Sequence, residues 1–108
     1  MSNPLRGRFL AALWRGLLVV WPVLSALLGL MAVLGVAVAV LEDWPLTDGL
    51  YFAFVSGLTI GYGDLVPKVP LARVLAISIG LTGILLAGLV AAVGVQALQA
   101  ALAGARDR

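Results

Sequence analysis

Two long segments of this chain contain no charged residue, and their length limits what the chain can fold into. One lies between Arg15 and Glu42, and the other lies between Arg73 and Arg106. Each exceeds the roughly 20 apolar residues that an α-helix needs to cross a bilayer. Of the 108 residues, 63% are hydrophobic and only 11% are charged, unlike a soluble domain. The sequence therefore predicts an all-α membrane protein with two transmembrane helices.

A third apolar segment, residues 46–57, is too short to cross. It follows the turn Glu42–Pro45 and carries Asp48 in its first turn, where the helix dipole favours a negative charge. With only about 12 residues, a helix here must enter the membrane and turn back. Such a re-entrant segment is tolerated only where protein covers it, which indicates assembly of several chains around an axis.

The loop after this segment reads Thr-Ile-Gly-Tyr-Gly-Asp over residues 59–64. A loop whose carbonyl oxygens all face one side must alternate right-handed and left-handed backbone conformations. Glycine adopts the left-handed one without steric cost, and Gly61 and Gly63 stand at alternate positions. We expect the carbonyls of residues 59–62 and the Thr59 hydroxyl to replace the water shell of a cation. The candidate ion-coordinating residues are Thr59, Ile60, Gly61, Tyr62 and Gly63.

With this motif between two spans, the chain resembles the two-transmembrane, pore-only potassium channel family of prokaryotic type, over roughly residues 17–102. Residues 48–56 are similar to the family's pore helix, and residues 65–67 are similar to its outer-mouth turn. The resemblance implies a homotetramer in which four selectivity-filter loops close one pore. It implies passive K+ conduction, with K+ and the lipid bilayer as partners, no enzyme activity, no cofactor and no nucleic-acid partner.

The predicted organisation has three parts. They are a basic cytoplasmic segment at 1–16, a pore domain at 17–102 and a cytoplasmic tail at 103–108. The pore domain comprises an outer helix at 17–41, a pore helix at 46–57, a filter at 59–64 and an inner helix at 70–102. Segment 1–16 is either a helix lying along the membrane interface or a basic tail that only sets topology.

The resemblance also implies residues that support the filter, namely Asp64, Tyr51, Phe52, Val55 and Trp44. The aromatic rings would form a cuff around the filter, although they would fill space in any apolar helix. Asp64 either accepts a hydrogen bond from Trp44 or Tyr51, or only attracts cations to the outer mouth. Val55 departs from family members that carry a carboxylate there, and Leu58 departs from the many that carry threonine.

On the last helix, the resemblance places the gating hinge at Gly83 and the helix crossing at Gly88 and Ala92. Packing is the alternative role for each glycine, because glycine is common in membrane helices. A face at helical spacing is predicted to line the cavity. Its residues are Ile84, Ala87, Ala91, Val95 and Gln99.

Positive charges predict the orientation. Arg6, Arg8 and Arg15 precede the first span, and Arg106 and Arg108 follow the second. Both termini should therefore be cytoplasmic in a multi-pass protein of the plasma (inner) membrane. The chain has no cysteine, which excludes disulfides and thiolate metal sites, and it has no histidine. At 108 residues, we expect no voltage sensor or large ligand-sensing domain in this sequence.

Two other functions fit part of the pattern. A non-conducting assembly or regulatory subunit would explain the helices, but it would give the alternating Gly61 and Gly63 no purpose. A potassium transporter subunit with a filter-like loop usually keeps one of these glycines and has more helices. Both are weaker than the channel hypothesis.

Overall fold

The computed structural model describes residues 3–106, and over that range the chain forms three helices and no strand. Helix α1 spans Asn3–Glu42, α2 spans Leu46–Gly57 and α3 spans Pro70–Arg106. Contacts divide the chain into two compact units. We call Ser25–Ala87 the central unit, and we call the remainder, described over residues 3–24 and 88–106, the terminal unit.

The helix bounds agree with the sequence prediction for α2 and differ for the other two helices. Helix α1 begins at Asn3 instead of residue 17, because Pro4 falls in its first turn and the leucine, alanine and arginine residues that follow favour helix. Helix α3 begins at Pro70 as predicted but continues to Arg106 instead of ending at residue 102. Arg108, one of the charges used to predict orientation, lies outside the described residues.

Most apolar side chains on α1 and α3 are not covered by the rest of the chain. Both helices are long and apolar enough to cross a bilayer, over Pro4–Glu42 and Pro70–Gly104. Only 28% and 22% of their most apolar stretches are buried inside the chain. A core helix of a soluble protein would be mostly buried, so the low burial of these two helices fits membrane-spanning helices.

In the central unit, α2 packs against α1 through glycine. A Cβ built on Gly35 would lie 2.5 Å from the carbonyl oxygen of Gly49, and one on Gly49 would meet the carbonyl oxygen of Gly35. The two backbones are therefore in direct contact, as small residues permit between membrane helices. A buried apolar cluster surrounds this contact and includes Val38, Phe52, Ala53, Ala72 and Ile79.

The segment between residue 64 and α3 is held by Glu42 at the end of α1. One oxygen of the Glu42 carboxylate accepts hydrogen bonds from the backbone N–H of Lys68 at 2.8 Å and of Val69 at 2.7 Å. On the other side, the guanidinium Nε of Arg73 donates to the carbonyl of Pro67 at 3.1 Å. These bonds tie the exit of the 59–64 loop to both long helices.

Replacing Glu42 should loosen this segment. We expect Glu42→Ala to cost about 1–2 kcal/mol, because two backbone donors lose a charged acceptor. Amide hydrogen exchange at Lys68 and Val69 should accelerate. The control is Asp43→Asn, which removes the neighbouring carboxylate at a position with φ of 62° that asparagine tolerates. Equal exchange in the two variants would contradict the role of Glu42.

Candidate functional site

The 59–64 loop alternates in backbone handedness. Thr59, Gly61 and Gly63 have φ of 63°, 62° and 78°, whereas Ile60 and Tyr62 between them are not among the described residues with positive φ. The glycines alone predict left-handed backbone at residues 61 and 63. The structure adds Thr59, a β-branched residue that also lies in the left-handed region. That conformation costs about 1–3 kcal/mol and persists only where the surroundings enforce it. In the sequence, the sign of this conformation was that Thr59 lies two residues before Gly61, at the same alternating spacing as Gly61 and Gly63.

The end of α2 takes up the N–H groups of this loop. The carbonyl of Val55 accepts the N–H of Ile60 at 2.8 Å and of Gly61 at 3.2 Å, and the carbonyl of Ser56 accepts that of Thr59 at 3.2 Å. The carbonyls of residues 59–63 accept none of the backbone hydrogen bonds described for the turns and loops. The N–H groups of Thr59, Ile60 and Gly61 thus face the end of α2.

The Thr59 side chain is oriented by its neighbour. Its hydroxyl donates a hydrogen bond to the carbonyl of Leu58 at 2.6 Å. Because the hydrogen is used in this way, the lone pairs of the hydroxyl oxygen can face a cation. Among residues 3–106, no group of three or more His, Cys, Asp and Glu side chains could hold a metal ion.

Asp64, the last residue of the loop, is hydrogen-bonded to Tyr51 of α2. The hydrogen bond to the Asp64 carboxylate raises the pKa of the Tyr51 phenol, and partial burial and the negative charge of Asp64 act in the same direction. Trp44, the other partner that the sequence left open, packs edge-on against Phe52, with ring centroids 5.5 Å apart. The side chain of Val55 is buried, so its contribution is apolar packing.

The glycines predicted at the hinge and helix crossing differ in their surroundings. A Cβ on Gly83 would collide with the carbonyl group and Cα of Gly57, at the end of α2. A Cβ on Gly80 or Gly88 would meet nothing within 4 Å. Gly83 therefore has a packing role, since α3 touches the backbone of α2 there, and its role as a hinge stays a prediction. Ala92 is exposed in the terminal unit.

The five residues of the predicted cavity face are all exposed in the single chain. Ile84 and Ala87 belong to the central unit, and Ala91, Val95 and Gln99 belong to the terminal unit. Ile84 and Val95 keep 60% and 56% of their surface accessible. Within each unit, this face is thus open to water or to further copies of the chain.

Comparison of the sequence with known proteins finds similarity to ion channels. A family model described as "Ion channel" matches residues 17–100. Over 37 residues the chain is 49% identical to a voltage-gated potassium channel of Aeropyrum pernix, covering 34% of this chain and 12% of the relative. Over 51 residues it is 47% identical to two pore potassium channel c of Oryza sativa subsp. japonica, covering 43% and 11%.

A third relative, two-pore potassium channel 5 of Arabidopsis thaliana, is 40% identical over 55 residues, which are 46% of this chain and 14% of the relative. The matched segments thus span less than a sixth of each of these curated relatives. No solved structure matches the chain.

The contact at Gly83 leads to a test that separates packing from flexibility. We expect Gly83→Ala to lower stability by about 1–3 kcal/mol, because the added methyl group overpacks a backbone contact. Gly80→Ala, on the same helix in open space, should be neutral or stabilising by up to about 1 kcal/mol. Thermal unfolding in detergent, followed by circular dichroism, measures both. Equal stability of the two variants, with altered ion flux in Gly83→Ala alone, would favour the hinge instead.

Proposed function

We propose that this chain, which belongs to the ion channel family, is the pore subunit of a potassium-selective channel that conducts K+ passively across the membrane. Three relatives that match parts of the chain at 40% to 49% identity are named potassium channels. Members of a channel family are not enzymes, and the proposal requires no chemical step. Conduction needs only a path on which K+ exchanges water for protein oxygen.

The alternating backbone of residues 59–63 is the observation that carries the proposal. Left-handed residues at 59, 61 and 63, with Ile60 and Tyr62 between them, form the pattern that turns successive carbonyls to one side. The N–H groups of Ile60 and Gly61 are already bonded to α2. The oxygens of residues 59–62 are then available to a dehydrated K+, with the Thr59 hydroxyl as a further ligand at one end.

A homotetramer is the assembly that fits this loop. One strand offers oxygens from one side only, whereas four copies around an axis surround an ion. The exposed apolar side chains of α1 and α3 would contact lipid and neighbouring subunits in this assembly. In this assembly α2 is a re-entrant pore helix covered by neighbouring subunits. Both termini are cytoplasmic in the plasma (inner) membrane, as the arginine distribution indicates.

The alternatives account for less of the structure. A regulatory subunit that does not conduct would have no use for a left-handed Thr59, which is costly to maintain. A transporter subunit would share the filter-like loop but would be expected to contain more membrane helices. Ion flux through the purified protein alone separates the three functions.

Flux into proteoliposomes tests the proposal directly. Liposomes that contain the wild-type protein and are loaded with potassium should take up external rubidium, driven by the outward potassium gradient. Gly61→Ala and Gly63→Ala should abolish this selective uptake, because a Cβ disfavours their positive φ. Gly29→Ala is the matched control, since a Cβ there meets nothing within 4 Å and its φ is not positive. Equal uptake by all four proteins would overturn the assignment of the loop.

The tetramer should depend on its ions. Ligands that bind only the assembled filter stabilise it by about 2.7 kcal/mol at 100 times their Kd. We therefore expect the detergent-solubilised tetramer to dissociate at lower temperature in Na+ than in K+ at equal ionic strength. Gly63→Ala should lose this difference while remaining helical. Identical dissociation temperatures of the wild type in the two salts, read from heated samples on gels, would contradict ion-dependent assembly.

A further inference from the structure

Helices α1 and α3 run antiparallel in the terminal unit, where small residues bring them into close contact. A Cβ built on Gly16 would lie 2.7 Å from a methyl carbon of Val93. Closer to the ends of the chain, a Cβ built on Gly104 would lie 3.4 Å from Cδ of Arg8. Residue numbers therefore fall along α3 as they rise along α1, and these two contacts fix the register of the helix pair.

Each helix of the pair has one weak position, and the two positions lie at the same level. Pro22 lies six residues after Gly16 on α1, and Gly88 lies five residues before Val93 on α3. At 1.5 Å per residue, these steps are about 9 Å and about 8 Å. Proline has no N–H and removes a main-chain hydrogen bond from α1, and glycine destabilises the interior of a helix. A Cβ on Gly88 would meet nothing within 4 Å, so no close contact in the described chain requires this glycine.

The central unit holds the two long helices more firmly, because α2 packs against both of them there. The close contacts of Gly35 and Gly83 attach α1 and α3 to α2. Helix α2 lies wholly in the central unit, whereas the terminal unit ends at Leu24 on α1 and resumes at Gly88 on α3. Pro22 and Gly88 thus lie at the edge of the terminal unit, which contains no part of α2.

We propose that Pro22 and Gly88 form a paired hinge, at which α1 and α3 bend together while the contact between Gly16 and Val93 is kept. A hinge consists of a few residues that absorb a change in backbone angles while the segments on either side stay rigid. The terminal unit then moves as one body, and Gly83 stays packed against α2. Bending of this kind requires only the two helices and does not depend on K+ conduction.

In the proposed channel, the paired hinge would serve as the gate. Ala91, Val95 and Gln99 of the predicted cavity face belong to the terminal unit, so they would move with it and change the width of the pore. This use of the hinge rests on the proposed function. It differs from the hinge expected at Gly83 in two respects, since bending occurs five residues later on α3 and includes α1.

Methyl relaxation dispersion on the full chain in detergent micelles tests the hinge, because it detects exchange on the microsecond-to-millisecond timescale of hinge motions. We expect the methyl groups of Val19 on α1 and Val95 on α3 to share one exchange rate. Gly88→Ala should lower the population of the bent state about fourfold at both sites, the factor to which the difference in helix propensity corresponds. Pro22→Ala should act in the same direction at both sites. An effect confined to one helix, or no exchange in the wild type, would overturn the paired hinge.

Gly94→Ala is the matched control. Gly94 is also an α3 glycine of the terminal unit at which a Cβ would meet nothing within 4 Å, but it lies six residues beyond Gly88 and away from the level of Pro22. Exchange at both methyl groups should therefore remain as in the wild type. A reduction equal to that in Gly88→Ala would mean that added helix propensity anywhere on α3 suppresses the motion, and it would overturn the position of the hinge.

A disulfide separates joint bending from movement of one helix past the other. The chain has no cysteine, and the Cβ positions of residues 16 and 93 are 3.9 Å apart, within the range of about 3.5–4.5 Å found in disulfides. In the Gly16→Cys, Val93→Cys double variant, oxidised and reduced protein should show the same exchange and the same rubidium uptake. Loss of exchange on oxidation would overturn the proposal. Exchange at the shared rate in a wild type that takes up no rubidium would support the hinge and contradict the channel function.

Discussion

The structure depends on one requirement, which is that the N–H groups of the irregular 59–64 loop need hydrogen-bond acceptors supplied by the protein. Irregular backbone in a membrane protein is stable only where its polar groups are satisfied by protein or face a polar path. Here the carbonyl of Val55 accepts two of the N–H groups, so the last turn of α2 acts as the acceptor surface of the loop. Any displacement of α2 would break these bonds, and the remaining packing keeps α2 in place.

Glycine meets this requirement in two physically different ways. Gly35, Gly49 and Gly83 let backbones touch, the first two between α1 and α2 and the third between α3 and Gly57. Gly61 and Gly63 supply positive φ in open space, where a side chain would meet no neighbour and conformation alone excludes it. The first group is therefore sensitive to side-chain volume, and the second is sensitive to the presence of any Cβ. Both groups serve the same loop, because the close contacts position the end of α2 from which the loop is held.

Sequence reasoning reached the elements that depend on local pattern. The two long stretches without a charged residue indicated the two spans. The bounds of α2 followed from a short apolar segment between turn residues. The sequence left residues 1–16 open between an interfacial helix and a basic tail, and it did not predict that they continue the outer helix as one α1 from Asn3. The bonds from Glu42 to Lys68 and Val69 join residues 26 and 27 positions apart, which no local pattern encodes. The sequence also could not decide which residue pairs with Asp64, because Tyr51 and Trp44 are both suitable hydrogen-bond donors. The structure pairs it with Tyr51.

Charge is distributed unequally between the described parts of the two units. The central unit has four acidic and two basic residues, with Asp64 directly after the loop. The described part of the terminal unit has only arginine among its charged residues. Acidic groups near a cation path raise the local cation concentration. With Val55 and Leu58 contributing no polar group, the Tyr51–Asp64 pair and the α2 carbonyls are the described polar support of the loop, so in the proposed channel bound cations would supply a larger share of its stability.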